Sequence, residues 1–319
     1  MAVYTTLPDA ELAALLAEYD LGDLRACDGI AAGVENSNFA LTTARGRFIL
    51  TIFEKRVSSA DLPFFMQIMA RLAESGVEAP QPIATTAGAL FTRARGKPAC
   101  IVSFLDGDWP RAPSVAQCAA IGAVLGRMHV ALEGFELRRE NMLSIAGWEN
   151  LIAPRLAQAE SLRAGLAESA AADMATVRAA WPDALPRGPI HADLFPDNAL
   201  FVGERLSGVI DFYFACTDFL AYDLAVCLNA WCFADERDYD LARGRAMIAA
   251  YESVRALSTT EREALPILCK GAALRFFATR LVDWFDTPAG ALVKKKDPLE
   301  YADKLAFHKT AASAADYGA

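Results

Sequence analysis

Nowhere in the 319 residues is there a CxxC pair, although cysteine occurs seven times. The thiols, at positions 27, 100, 118, 216, 227, 232 and 269, are odd in number and scattered. That spacing argues against a zinc framework and a disulfide scaffold, and reads as reduced apolar filler in a cytoplasmic protein. Histidine is scarcer still, with three residues, so a His-rich zinc site is not expected. Every apolar run is broken by Arg, Asp, Gly or Pro before the roughly 18 residues that a membrane span needs. The segment Met1–Thr6 has neither a basic start nor an apolar core, so no secretory signal is expected. Positive charge is short as well. With 31 Lys and Arg against 40 Asp and Glu, the formal charge of −9 is the opposite of what a general nucleic-acid binder needs.

What the chain does have is a globular balance of 54% hydrophobic and 22% charged residues. Its length suggests two lobes, each with its own core. The first hundred residues read as strands with one main helix inserted. Pro8–Tyr19 carries Leu12, Leu15 and Leu16 at helical spacing, with Thr6 as N-cap candidate. Residues 39–43 and 48–53 flank the short turn Ala44–Arg47 and predict a hairpin. Asp61–Ser75 predicts an amphipathic helix closed by Gly76, and Cys100–Leu105 a buried strand. Asp106–Pro110 breaks the pattern, so the lobes are expected at 1–106 and 107–319. Beyond it, segments 114–131, 148–161, 168–181, 222–233, 238–255 and 261–285 show helical periodicity. Only Pro189–Phe212 interrupts them, with two short strands around Gly203-Glu204-Arg205.

That interruption carries the chemistry. It reads His191-Ala192-Asp193-Leu194-Phe195-Pro196-Asp197-Asn198, then the hairpin, then Ile210-Asp211-Phe212. An antiparallel hairpin returns to its starting edge, so Asn198 before it and Asp211 after it are expected at one end. One neutral and one anionic oxygen donor suit a magnesium ion bound to nucleotide phosphates. A second carboxylate, Asp193, can accept the proton of an attacking hydroxyl.

This His-x-Asp-x-x-x-x-Asn pattern followed by Ile-Asp-Phe resembles the aminoglycoside phosphotransferase branch of the protein-kinase-like superfamily. The resemblance implies an α+β, bilobal fold: an antiparallel N-lobe sheet with one main helix, and a mainly helical C-lobe with a small catalytic hairpin. It implies Asp193 as base, His191 orienting the loop, Asn198 and Asp211 as metal ligands, and ATP with Mg²⁺ as cofactors. Gly33, Asn36, Ser37 and Asn38 fall at the turn expected to cradle phosphate, and Ser103, Phe104 and Leu105 at the hinge expected to hold adenine. The strand position that usually carries a phosphate-binding Lys is Thr51. Lys55 and Arg56 are the nearest substitutes, and each also fits a solvated strand end.

Several stretches are similar to homoserine kinases of that branch: Glu35–Phe39, Leu50–Glu54, Asp61–Phe65, Ile210–Cys216, Tyr222–Ala225 and Leu274–Phe277. That resemblance implies phosphorylation of the L-homoserine hydroxyl to O-phosphohomoserine, on the route to threonine. A homoserine site needs an Arg for the carboxylate and an acid or carbonyl for the amine. Arg275 is the first candidate for the carboxylate and Arg280 the second, Arg280 having Asp283 as an alternative partner. Asp218 and Asp223 are candidates for the amine or for bracing the metal loop, and Asp223 also suits a helix cap. Other acceptors in the branch are aminoglycosides, choline and methylthioribose. Thr51 keeps open a non-catalytic nucleotide-binding module.

Overall fold

An isolated helix of eight residues is marginal in water, so α1 (Asp9–Leu16) depends on what it covers. In the computed structural model, which describes residues 4–30, 36–54, 57–235, 237–287 and 295–319, it covers a sheet. That sheet has the order β1-β2-β3-β5-β4, antiparallel throughout: β1 (Leu24–Gly29), β2 (Asn36–Thr43), β3 (Gly46–Phe53), β4 (Thr92–Ala94) and β5 (Lys97–Ser103). Leu12, Leu15, Leu16 and Tyr19 pack on Phe39, Leu50, Ile52, Ala99 and Ile101. Burial of each leucine is worth about 1.5–3 kcal/mol, enough to hold so short an element. Thr6 is not its cap: Pro8 occupies that position, and its carbonyl accepts from Glu11 and Leu12.

Residues on β3 alternate between the two faces of the sheet. Opposite the face of Leu50 and Ile52 lie Thr51 and Phe53, with Cys100 paired to Thr51 across the ladder. Phe53 and, from α2 (Leu62–Glu74), Phe65 meet the Tyr213 ring edge-on at 4.8 and 5.8 Å. Two compact units result: Met1–Gly107 with Ser207–Tyr213, and Asp108–Leu206 with Phe214–Ala319. The first therefore takes in seven residues far along the chain that a single cut after residue 106 does not include.

The second unit is built on helices. Ser114 and Gln117 cap α3 (Val115–Ala131) reciprocally, and Ser258 and Glu261 do the same for α9 (Thr259–Asp286). The expected helix 148–161 is broken into α4 (Ile145–Ile152), a 3₁₀ turn and α5 (Leu156–Glu160). Pro154 is the cause, because it lacks an N–H and its ring displaces the preceding turn. Next come α6 (Leu166–Ala180), β6 (Arg187–Ile190), β7 (Ala199–Val202), β8 (Arg205–Val209), whose residues from Ser207 on belong to the first unit, β9 (Cys216–Phe219) and α7 (Leu220–Trp231). β6 pairs antiparallel with β9, so the chain entering the His191 loop and the chain entering α7 run side by side. A two-residue ribbon, β10 (Phe233–Ala234) and β11 (Asp238–Tyr239), precedes α8 (Leu241–Glu252). Asp240 caps α8 by accepting from Ala242 and Arg243. The chain ends with α10 (Pro298–His308), capped by Asp297, which the periodicity reading did not reach. All seven cysteines are free and six are buried, and burial pushes the Cys100 thiol up to about 12. Among the described residues no helix is long and apolar enough to cross a membrane.

Candidate active site

The loop between β6 and β7 is held by its own backbone. Ala192 sits at φ 63°, in the left-handed region, where a residue with a Cβ is strained by about 1–3 kcal/mol unless its surroundings over-determine it. They do. The His191 amide donates to Asp223 Oδ2 and the Ala192 amide to Asp223 Oδ1, both at 2.8 Å. Arg275 on α9 donates to the Ala192 carbonyl from the other side. Asp223 is fully buried near the start of α7. Burial alone would raise its pKa, but the hydrogen bond from His129 and the nearby amides hold the carboxyl below its usual range.

This frame presents Asp193. Its amide donates to His191 Nδ1 at 3.2 Å, and its carbonyl accepts from Phe195 N and Asn198 Nδ2, each at 2.8 Å. The neighbouring Leu194 carbonyl accepts from Trp231 Nε1 at 2.8 Å. Asp193 Oδ1 lies 3.8 Å from Arg275, yet the Asp193 side chain is 21% exposed and that of Arg275 only 3%. The carboxylate is thus within reach of a substrate while a buried cation stands behind it. Asn198 also turns its amide nitrogen to Asp193 Oδ2 at 3.3 Å, which leaves its oxygen, a hard neutral donor, as the end able to face a cation. Asp211 belongs to the first unit, is exposed, and takes φ 65°, a conformation that asparagine and aspartate tolerate better than most residues.

The residues expected to touch nucleotide divide sharply. Gly33, Lys55 and Arg56 lie outside the described residues. Ser37 has no exposed surface: its hydroxyl accepts from the amides of Tyr4 and Thr5 and donates to Glu54 at 2.6 Å, so it ties the N-terminal segment to the sheet. Asn36 accepts from the Glu54 amide at 3.4 Å. Thr51 is buried and donates to Asn38 Oδ1 at 2.8 Å, leaving the half-buried Asn38 with its amide NH₂ as the polar end on that face. At the hinge, the Ser103 amide is taken by the Gln81 carbonyl and the Phe104 amide by the Arg47 carbonyl. Leu105 is the hinge residue whose backbone those bonds do not use.

Two expected acceptor residues are committed elsewhere. Arg280 is paired with Glu300 on α10 and donates to the Asp297 carbonyl at 3.0 Å, so its charge is committed to that neighbouring helix. Asp223 braces the loop, as described, and has no surface to offer an amine. Asp218, with 10% of its side chain exposed, accepts from Asn141 and the Phe219 amide and pairs with Arg187. Arg275 differs from these: its Nε is buried without a hydrogen-bond partner.

Three contributors escaped the sequence reading. His129 on α3 donates Nε2–H to Asp223 Oδ2 at 3.2 Å, and Tyr251 on α8 meets its Nδ1 at 2.9 Å. Lys97 on β5 is ion-paired with Glu54, and hydrogen bonds from Lys97 and Ser37 hold Glu54 below the usual carboxylate range despite burial. A single histidine inside an apolar helix gives no local signal, because its partners are 94 and 122 residues away.

Comparison with known proteins adds a family and a set of relatives. The model of the phosphotransferase enzyme family matches residues 27–257. The homoserine kinase of Xanthobacter autotrophicus is 55% identical over 318 residues, covering 100% of this chain and 99% of that protein. The homoserine kinase of Afipia carboxidovorans is also 55% identical, covering 100% and 98%. Among solved structures, an aminoglycoside phosphotransferase from Alicyclobacillus acidocaldarius superposes with a TM-score of 0.71 at 17% identity, over 98% of this chain and 96% of that one. An amicoumacin kinase in complex with AMP-PNP and Ca²⁺ gives 0.68 at 14% identity, over 95% and 92%. At those identities the structures share the fold, and the likeness extends no further.

Proposed function

Since the chain belongs to the phosphotransferase enzyme family, we propose that it is an ATP-dependent homoserine kinase, phosphorylating the side-chain hydroxyl of L-homoserine. The observation that carries the acceptor is the match to homoserine kinases along the entire chain rather than along the shared loop alone. Asp193 is the base: as the homoserine oxygen forms its bond to the γ-phosphorus and the bond to the β-phosphate oxygen breaks, the carboxylate takes the hydroxyl proton and ADP departs. Asn198 and Asp211 would supply the protein oxygens for Mg²⁺, which would neutralise charge on the phosphates. His191 keeps the loop in shape through the Asp193 amide. Leu105 at the hinge receives the adenine, and Asn38 lies on the phosphate side of the sheet. The substrate carboxylate is read by Arg275, the cation beside Asp193. A reduced-cysteine, ATP-using enzyme of this kind fits the cytoplasm.

Purified protein should form ADP and O-phosphohomoserine from MgATP and L-homoserine, followed by ³¹P NMR, and leave choline, methylthioribose and kanamycin unphosphorylated. Turnover of one of those three with none of homoserine would overturn the assignment.

A further inference from the structure

Behind the loop, four side chains of the second unit form one hydrogen-bonded line, which an ion pair extends to Glu261. Glu261 Oε1 is 2.9 Å from Arg255, Arg255 is 3.0 Å from the Tyr251 hydroxyl, Tyr251 is 2.9 Å from His129 Nδ1, and His129 Nε2 is 3.2 Å from Asp223 Oδ2. His129, Asp223 and Tyr251 are buried and lie on α3, α7 and α8. The line has a direction that follows from donor inventory. A guanidinium only donates, so the Tyr251 oxygen accepts from Arg255 and spends its own proton on His129 Nδ1. A carboxylate only accepts, so His129 must present Nε2–H to Asp223. Every bond is satisfied by one imidazole tautomer, and the other would place a lone pair against the carboxylate that holds the His191 and Ala192 amides. Resting on the reading of Asp193 as base, we infer that Tyr251 is a positioning residue for phosphoryl transfer: it fixes the Nε2–H tautomer of His129 and, through Asp223, the strained turn that aims Asp193.

The molecule supplies its own control. Elsewhere in the second unit, Tyr317 meets His308 Nδ1 at 2.8 Å, and His308 Nε2 meets Asn229 Oδ1 at 2.8 Å. This is the same Tyr-to-His bond in an equally buried setting, but it ends on an amide of α7 rather than on the loop. Tyr251→Phe and Tyr317→Phe should therefore lose similar stability and differ in catalysis. Tyr251→Phe should lower kcat about tenfold, the lower end of what loss of an outer hydrogen-bond partner does to a functional site, with KM for ATP unchanged, while Tyr317→Phe keeps the wild-type kcat. In histidine-selective ¹⁵N NMR, with three imidazoles to resolve, wild-type His129 should carry its proton on Nε2. In Tyr251→Phe the Nδ1 resonance should shift, its hydrogen-bond donor being gone. Equal kcat in the two variants, or a wild-type His129 protonated on Nδ1, would overturn the inference. The tautomer measurement needs no acceptor, so it decides the matter even for a protein that leaves homoserine unphosphorylated.

Discussion

A carboxylate that removes a proton during attack must be ionised, oriented and reachable, and those demands pull in opposite directions. Asp193, proposed as that base, has a partly exposed side chain while its carbonyl is held by Asn198, and Arg275 beside it is buried. Asp193→Asn keeps the shape and loses the proton acceptor. We expect kcat to fall by about 10²–10⁴-fold, with calorimetric MgATP affinity within a factor of about two; near-normal turnover would remove Asp193 from the role of base. The motif around it was legible because the chemistry sits on adjacent residues. Ser37 was misjudged for the opposite reason: a serine beside two asparagines looks available for phosphate, and only the fold shows its hydroxyl turned inward to Tyr4, Thr5 and Glu54. His308 gives a residue-scale test of stability. Burial, helped by Lys304 and Lys270, lowers its pKa from 6.5 to about 3. Below about pH 6.5 the unfolded chain binds a proton that the folded chain refuses, so stability is lost as pH falls towards 3, at about 1.4 kcal/mol per pH unit from this group. Urea titrations from pH 7.5 to 5 should show the stability gap between wild type and His308→Gln narrowing at that slope below 6.5. Parallel curves would mean that the folded protein protonates His308.

Elements meet closely only where side chains allow it, and the crossing of α3 with α8 depends on two glycines one turn apart. A methyl group on Gly122 would overlap the Met247 carbonyl, and one on Gly126 would lie 2.9 Å from Val254. In an exposed helix, Gly→Ala gains about 0.5–1 kcal/mol. Here the clash is with backbone, which cannot swing aside, so Gly122→Ala should destabilise by about 1–3 kcal/mol, as overpacking does. Because the same crossing brings His129 to Tyr251, the variant should lose kcat beyond what its lowered melting temperature explains at the assay temperature. A Gly122→Ala enzyme as stable as wild type would refute the close approach. Periodicity alone located α3, α6, α7, α8 and α9, since each carries a continuous apolar stripe. It could not see that Pro154 splits 148–161, although proline is the standard reason for a break. Nor did it reach α10, whose Asp297-Pro298 start signal directly follows three lysines at 294–296. Strands β6 and β9, unlike the equally short β7, have no hairpin-turn signal beside them and exist through pairing over nearly thirty residues.

Acceptor identity belongs to the whole molecule, since the loop that moves phosphate is shared by kinases of unlike substrates while the resemblance to homoserine kinases spans 318 residues. An amino-acid acceptor differs from an amino alcohol by its carboxylate, and a protein of net charge −9 does not attract that group by its general field. A specific buried cation is needed, and among the described residues Arg275 lies 3.8 Å from Asp193, the proposed base. It already serves the loop through the Ala192 carbonyl, so its removal has two separable consequences. Loss of the loop contact should slow every acceptor by the same factor. Loss of the carboxylate partner should slow only acceptors that carry a carboxylate, by an amount set by an unpaired buried charge, about 2–5 kcal/mol. Comparing L-homoserine with L-homoserinol, which lacks the carboxylate, separates the two. Wild type should favour homoserine strongly in kcat/KM, and Arg275→Ala should lower kcat for both while erasing most of the preference, with KM for ATP unmoved. The variant must be measured below its own melting temperature, because a cavity on α9 lowers stability as well. A variant that slows both acceptors alike and keeps the full preference would confine Arg275 to the loop and place the carboxylate site on another cation.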